Sequence, residues 1–414
     1  MNPTKTRSQN DAAVASAGDP AAADPRQAAI ALAASFFAMF CVVGIALWGL
    51  PFYYDFMVRD FGWTRGQVTS GNAFSKLLVG PAFGFVAGWL IDRFGPRRLM
   101  IAGVASAGVA LIGLGSISTL PWFYFFYMLN ALGYVCGALP TQVVVSGWFI
   151  KSRGKAMGLA YLGIGFGGAA VPWMSSFLYA HYGWHAALRV LGGLVIAISL
   201  PFALLMKEPP NTETERKAGT STAAGKAFRT PAFWLIMAGS MCSIAAVSGT
   251  QQNLKLLLSL DLHYGQSTSA RVLSLVLACS IAGRIVMGWM ADRFAKKYVM
   301  LSIYLLVAVA IPFLFLGRSL AVISVAAGIF GIALGGDYMI IPLMTAEIFG
   351  IEILGRLMGV ILAAGGVAEA LSPWGVGHLR DAYGTYVSGC AVLVGMALLG
   401  AGAVLALPQR RRGV

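Results

Sequence analysis

Three ionisable residues stand inside long apolar stretches: Arg284, Asp337 and Glu369. At bilayer depth an ionisable side chain costs several kcal/mol unless it is paired or hydrated, so each is a functional hypothesis by default. At 1.5 Å of rise per helical residue, Arg284 lies roughly 12 Å before Asp292, Asp337 about 15 Å before Glu347, and Glu369 roughly 20 Å after Arg356. The three therefore share a similar depth. A guanidinium stays charged at any working pH and grips a carboxylate through two parallel hydrogen bonds. A carboxyl group can exchange its charge for a proton, under the control of burial and of neighbouring charge. Such a set could hold a small organic anion and carry a proton with it. Without an anion, Arg284 is expected to pair with Glu369 or Asp337.

Neutral polar groups in the same stretches would complete the site. Tyr127, Asn130, Gln251 and Tyr338 are the candidates, with Asn72, Gln252 and Asn253 as further possibilities. Lys76 lies about 24 Å from Asp92 by the same rise. It either snorkels to the interface or faces the site as a second cation. Lys255, near the outer end of its stretch, reads as an entrance charge. The four histidines fall near outer loops, away from any central proton step. No nucleophile–base pair and no phosphate loop is present, so an enzyme, an ATP-driven pump and a cofactor are not expected. The five cysteines show no paired spacing and read as small buried groups rather than disulfides or metal ligands. The glycines at 158, 163, 165, 167 and 168 resemble a nucleotide loop only superficially. No strand precedes them, and close helix packing is the expected role.

The elements that must position these groups are membrane helices. The 414-residue chain is 58% hydrophobic and 11% charged, with mean hydropathy +0.75, too little charge to cover a soluble protein of this length. Stretches of roughly 20 apolar residues fall near 28–54, 67–91, 98–118, 121–149, 154–179, 185–206, 231–258, 267–291, 298–317, 320–346, 356–376 and 387–407. The expected organisation is a disordered tail over 1–25, a six-helix bundle over 26–206, a polar linker over 207–230, a second bundle over 231–407 and a basic tail over 408–414. The net charge of +14 does not point to nucleic acid, because of where it is placed. With an inside N-terminus, 21 of the 30 Lys and Arg fall on the cytoplasmic side. That is the positive-inside pattern of an even number of spans, with both termini cytoplasmic.

One turn occurs twice. Gly88-Trp89-Leu90-Ile91-Asp92-Arg93-Phe94 is answered 200 positions later by Gly288-Trp289-Met290-Ala291-Asp292-Arg293-Phe294, each closing an apolar stretch before basic residues. Repeats of this kind build secondary transporters. Gly88 and Gly288 allow close helix approach. Asp92 and Asp292 could pair with an Arg or a helix N-terminus across the bundle.

With this Gly-x-x-x-Asp-Arg turn in both halves, the chain resembles the major facilitator superfamily from Arg26 to Arg412. The resemblance implies twelve helices in two pseudo-symmetric bundles, an all-α membrane fold. It also implies that Gly88, Asp92, Arg93, Gly288, Asp292 and Arg293 latch the cytoplasmic gate. A narrower resemblance lies in Trp148-Phe149-Ile150-Lys151-Ser152-Arg153-Gly154-Lys155, in Phe61-Gly62-Trp63-Thr64-Arg65 and in Gly377-His378-Leu379-Arg380-Asp381. These motifs are similar to the monocarboxylate transporter and oxalate:formate antiporter branch. There the Arg of the eighth helix binds substrate, and Arg284 matches that position. Animal members place an Asp four residues earlier, where this chain has Ser280. The proton carrier would then come from another helix, Glu369 or Asp337. Antiporters for the oxalate dianion carry a Lys on the eleventh helix, and Glu369 there argues against such substrates. By the same analogy helices 1, 4, 7 and 10 line the cavity, favouring Tyr127 and Tyr338.

The expectation is a monomeric carrier in a bacterial inner (plasma) membrane. It would move a monocarboxylate-like anion by alternating access, with proton symport, and without metal or nucleic acid. An anion exchanger without proton coupling and a proton-driven exporter of drugs are the alternatives. A non-transporting receptor is disfavoured, because the cytoplasmic segments are too short for a signalling domain.

Overall fold

A computed structural model describes residues 24–75, 80–209, 225–264 and 266–407. Lys76, the side chain of Asp92, and most of the two tails and of the 207–230 linker lie outside the described parts.

The fold is all-helical. Its spans are α1 (Pro25–Tyr53), α2 (Arg65–Phe74 and Gly80–Phe94, either side of 76–79), α3 (Pro96–Leu114) and α4 (Leu120–Trp148). α5 and α6 together run over Arg153–Leu205 and divide at Gly183, whose φ of 75° only glycine takes readily. Then follow α7 (Pro231–Leu256), α8 (Gln266–Arg293), α9 (Lys296–Leu316), α10 (Leu320–Phe349), α11 (Leu354–Tyr383) and α12 (Val387–Leu405). Most boundaries fall within a few residues of the apolar stretches. α11 is the exception, running seven residues past its expected end at 376 to stop at Gly384, φ 72°. Its last turn is held by the Arg380–Asp261 ion pair at 2.6 Å, which ties it to the end of the α7 segment. A helix this far into polar sequence cannot be read from hydropathy alone.

The halves repeat one another in more than the turn. Gly154-Lys155-Ala156-Met157-Gly158 of α5 is answered by Gly355-Arg356-Leu357-Met358-Gly359 of α11, and Pro172-Trp173 by Pro373-Trp374. Arg97 donates to the Leu204 carbonyl that closes α6. Lys297 does the same for Leu405 and Leu407 at the end of α12, at 2.8 and 2.6 Å. Cations at exposed helix C-termini satisfy orphan carbonyls and oppose the helix dipole. Arg93 lies over Trp89 at 5.2 Å and Arg293 over Trp289 at 5.7 Å.

At the end of the molecule carrying these turns, the halves meet closely. A Cβ on Gly88 would lie 2.5 Å from the Gly355 carbonyl oxygen, and one on Gly288 would lie 2.6 Å from that of Gly154. Ser152, at the N-cap of α5, supplies no capping side chain. Asp292 of the other half does so instead, accepting from Gly154 N at 2.6 Å and Lys155 N at 2.9 Å. A carboxylate on two orphan N–H groups is both a cap and a charge-assisted bond. Of the pairings foreseen for Asp292, the helix N-terminus is the one formed.

The glycine run of α5 also packs helix on helix. Gly163 faces the Phe36 carbonyl, Gly167 the α1 backbone at Phe40 and Gly44, and Gly158 the Arg284 carbonyl. Residues Met39–Leu47 of α1 form a wider π-helical stretch against this face.

Candidate functional site

Between the halves, beyond the tight contacts at the repeated turns, lies a cavity of about 560 Å³. Its wall is mostly apolar and takes residues from both halves. The polar groups come chiefly from α4 (Tyr134, Gln142), α5 (Tyr161), α7 (Gln251), α8 (Ser280, Arg284), α10 (Tyr338) and α11 (Glu369). Helices 5, 8 and 11 thus contribute as much as the expected 1, 4, 7 and 10. α5 contributes Tyr161 and the small residues Gly165, Gly168 and Ala169, the two glycines packing against Ile281 and Trp48 of the same wall.

Arg284 is 7% exposed and faces this space. Its Nη1 donates to Ser280 Oγ, one turn earlier, at 3.1 Å, and its Nε meets no acceptor. Among the described residues it makes no ion pair. The expected pairing with Glu369 or Asp337 is therefore not made in this conformation. Glu369 does line the cavity, half-buried, with the Tyr338 hydroxyl on its carboxyl group and Tyr134 within electrostatic reach. Gln142 Nε2 donates to the Tyr161 hydroxyl at 2.9 Å, holding both in the wall. The arrangement offers one guanidinium, one carboxyl group and a set of phenols and amides around an apolar space. That chemistry suits a monoanion with an apolar body.

Asp337 takes another direction. A helix turns about 100° per residue, so Tyr338 reaches the cavity while Asp337 points into the C-terminal bundle. It is fully buried and accepts from Ser243 Oγ of α7 at 2.7 Å. Tyr127 and Asn130 are also outside the cavity wall. The Tyr127 hydroxyl bonds Tyr54 at 2.8 Å, with its ring against Gly71. Asn130 Nδ2 donates to the Ala46 carbonyl at 3.0 Å, in the π-helical stretch of α1 where regular bonding is broken. Gln251 and Tyr338 face the cavity as expected; Lys76 lies outside the described residues.

Sequence reasoning passed over Tyr134, Gln142 and Tyr161. An amide and two phenols in otherwise apolar helices were visible signals, and Tyr134 stands two turns beyond Tyr127 on nearly the same helical face.

Two helical halves around a polar-centred cavity are the arrangement on which secondary transporters are built. The sequence profile of the Major Facilitator Superfamily matches residues 28–286 and 254–413, and the chain belongs to that family. Monocarboxylate transporter 12-B of Danio rerio is 26% identical over 360 residues, 76% of this chain and 75% of that protein. The fujikurins efflux protein of Gibberella fujikuroi is 25% identical over 356 residues, 83% of this chain and 74% of that one. Among solved structures, the E. coli fucose:proton symporter FucP superposes with a TM-score of 0.73 at 17% identity, over 92% of this chain and 98% of its own. The proton:xylose symporter XylE gives 0.73 at 14%, over 92% and 95%. These two likenesses concern the fold alone.

Proposed function

We propose that the protein carries a monocarboxylate-like organic anion across a bacterial plasma membrane by alternating access, together with a proton. Arg284 carries this reading: a buried guanidinium with an unsatisfied Nε, facing a cavity and making no ion pair among the described residues. Leaving such a charge unanswered in low dielectric is costly, and a substrate carboxylate would answer it.

Charge bookkeeping leads to symport. Arg284 and an ionised Glu369 sum to zero in the empty cavity. A monoanion and one proton carried together move no net charge across the membrane, wherever in the protein the proton is seated. That proton has two candidate seats, Glu369 and Asp337. The repeated turns mark the cytoplasmic end by their basic residues, so the latched conformation is the one that receives substrate from outside. Asp292 on the α5 N-terminus is the latch that rocking must release.

The test is uptake of labelled carboxylic acids into proteoliposomes under an imposed inward proton gradient. Acid-stimulated uptake of one class, lost in Arg284→Ala, is expected. Uptake that depends only on internal anion would establish exchange instead. An exporter is the second reading, favoured by the relationship to an efflux protein and by the apolar wall. It predicts transport of apolar cations that Arg284→Ala leaves intact.

A further inference from the structure

The cavity does not use the most deeply buried acid among the described residues. Asp337 is 0% exposed, yet no Lys or Arg approaches it within ion-pair distance among the described residues. Its Oδ1 takes a hydrogen bond from Ser243, while its Oδ2 has no partner. Beside it lie two further buried hydroxyls, Tyr304 of α9 and Ser240 of α7, set against one another and against Ser243. The two hydroxyls can each donate a hydrogen, but neither brings a positive charge. A carboxylate ion there would be a buried charge with no Lys or Arg beside it among the described residues, whereas a carboxylic acid has no charge to desolvate.

We infer that Asp337, with Ser240, Ser243 and Tyr304, is a proton-binding site separate from the substrate cavity and is the seat of the coupled proton. The inference rests on reading the chain as a proton-coupled carrier. The titratable and charged groups around Asp337 are few. α7 offers Cys242, α9 offers Tyr304, and α10 itself offers Tyr338. The Arg284 guanidinium of α8 points into the cavity instead. Glu369 differs in kind, being half-buried on the cavity wall with the Tyr338 hydroxyl beside it.

The two sites are joined through α10. Asp337 and Tyr338 are adjacent, one facing the proton pocket and the other facing Glu369 and the cavity. Gly335 and Gly336 just before them press on the Ser280 carbonyl and on Met287 of α8. Asp337 is sealed from solvent, so releasing its proton requires the helices around it to part. α10 would have to shift, carrying Tyr338 with it. Proton loss to solvent and a change at the substrate site thus become one movement.

Five side-chain oxygens gather here, two from Asp337 and one each from Ser240, Ser243 and Tyr304, and the proton is the occupant we assign. The experiment needs no substrate. Infrared difference spectra of the purified protein in lipid, titrated from acid to alkaline pH, report the C=O stretch of carboxylic acids. A band of a water-excluded acid is expected in the unmodified protein and in Glu369→Gln, and is lost in Asp337→Asn. Tyr304→Phe and Ser240→Ala, which remove the neighbouring oxygens, should move the band and its titration midpoint while the protein stays folded. A band absent from the unmodified protein, or one kept in Asp337→Asn and lost in Glu369→Gln, overturns the assignment. So does a sodium gradient driving uptake in place of protons. If the band behaves as expected but no carboxylic acid is transported, the functional reading fails and the proton site stands.

Discussion

Arg284 Nη1 is held by Ser280 Oγ at 3.1 Å, one helical turn away, and that hydroxyl is its only hydrogen-bonding side chain among the described residues. A neutral anchor orients the guanidinium without spending its charge. The fork toward the cavity is left open for two oxygens of a carboxylate, and two predictions follow directly from this geometry.

Replacing Arg284 by Ala should remove anion binding, while Lys should keep the charge and lose the paired hydrogen bonds. Charge-assisted hydrogen bonds contribute about 1.5–3 kcal/mol each, so the Lys variant should lose roughly 10- to 100-fold in apparent affinity. Concentration dependence of proteoliposome uptake measures this. Equal affinity in Arg284, Lys and Ala forms would mean that substrate binds elsewhere.

Ser280→Asp places a carboxylate where Ser280 now only orients. An ion pair inside the cavity wall would then compete with substrate for the same guanidinium. Apparent affinity for anions should fall on the order of tenfold, which corresponds to about 1.4 kcal/mol of competing interaction. Acidification should restore it, because protonating the new acid frees Arg284. Ser280→Ala should change affinity far less, since it removes an orienting bond and adds no competitor.

Much of this was legible in the sequence for a physical reason. Bilayer spans obey a length and polarity rule strict enough to be counted, and the duplicated turn placed Asp292 at a helix end before its partner was visible. Arg284 and Glu369 were conspicuous because charge is rare in such helices. What hydropathy cannot give is azimuth. Depth arithmetic put Asp337 level with Arg284 but could not say that it faces α7 and α9, because α10 is apolar on every side. Tyr127 and Asn130 failed likewise. One serves Tyr54 and the other a carbonyl of the α1 π-helical stretch, and neither partner has a sequence signature.

The contact of Gly288 with Gly154 should control which conformation is populated. A Cβ at Gly288 has 2.6 Å to the Gly154 carbonyl oxygen, backbone that cannot rotate away. Gly288→Val should therefore wedge the latch, and Asp292→Asn should weaken it by about 0.5–2 kcal/mol, the usual worth of a helix N-cap. Both should shift the population toward a form open at this end. Spin labels on α5 and α8 near the repeated turn would report longer distances. Distances unchanged in both variants would mean that closure at this end rests on the α2–α11 contact alone.

Glu369 should act as a selectivity filter rather than as an anchor. With Arg284 it makes the empty cavity neutral, so a monoanion enters against no excess of negative charge. A dianion would bring its second charge toward the Glu369 carboxylate, and like charges in a poorly solvated space repel. Glu369→Gln keeps the shape and removes that repulsion. The cavity then holds one net positive charge, which suits a dicarboxylate better than the native arrangement does. Competition by labelled oxalate or succinate should strengthen on the order of tenfold in the variant, again about 1.4 kcal/mol. Monocarboxylate affinity should rise less, since one unit of charge already satisfies Arg284. The Gln variant should accept dianions at every pH that leaves them ionised. Response to a proton gradient should survive the substitution, because the proton resides at Asp337. If Glu369→Gln instead abolished proton-driven accumulation and left substrate preference unchanged, the roles of the two acids would have to be exchanged.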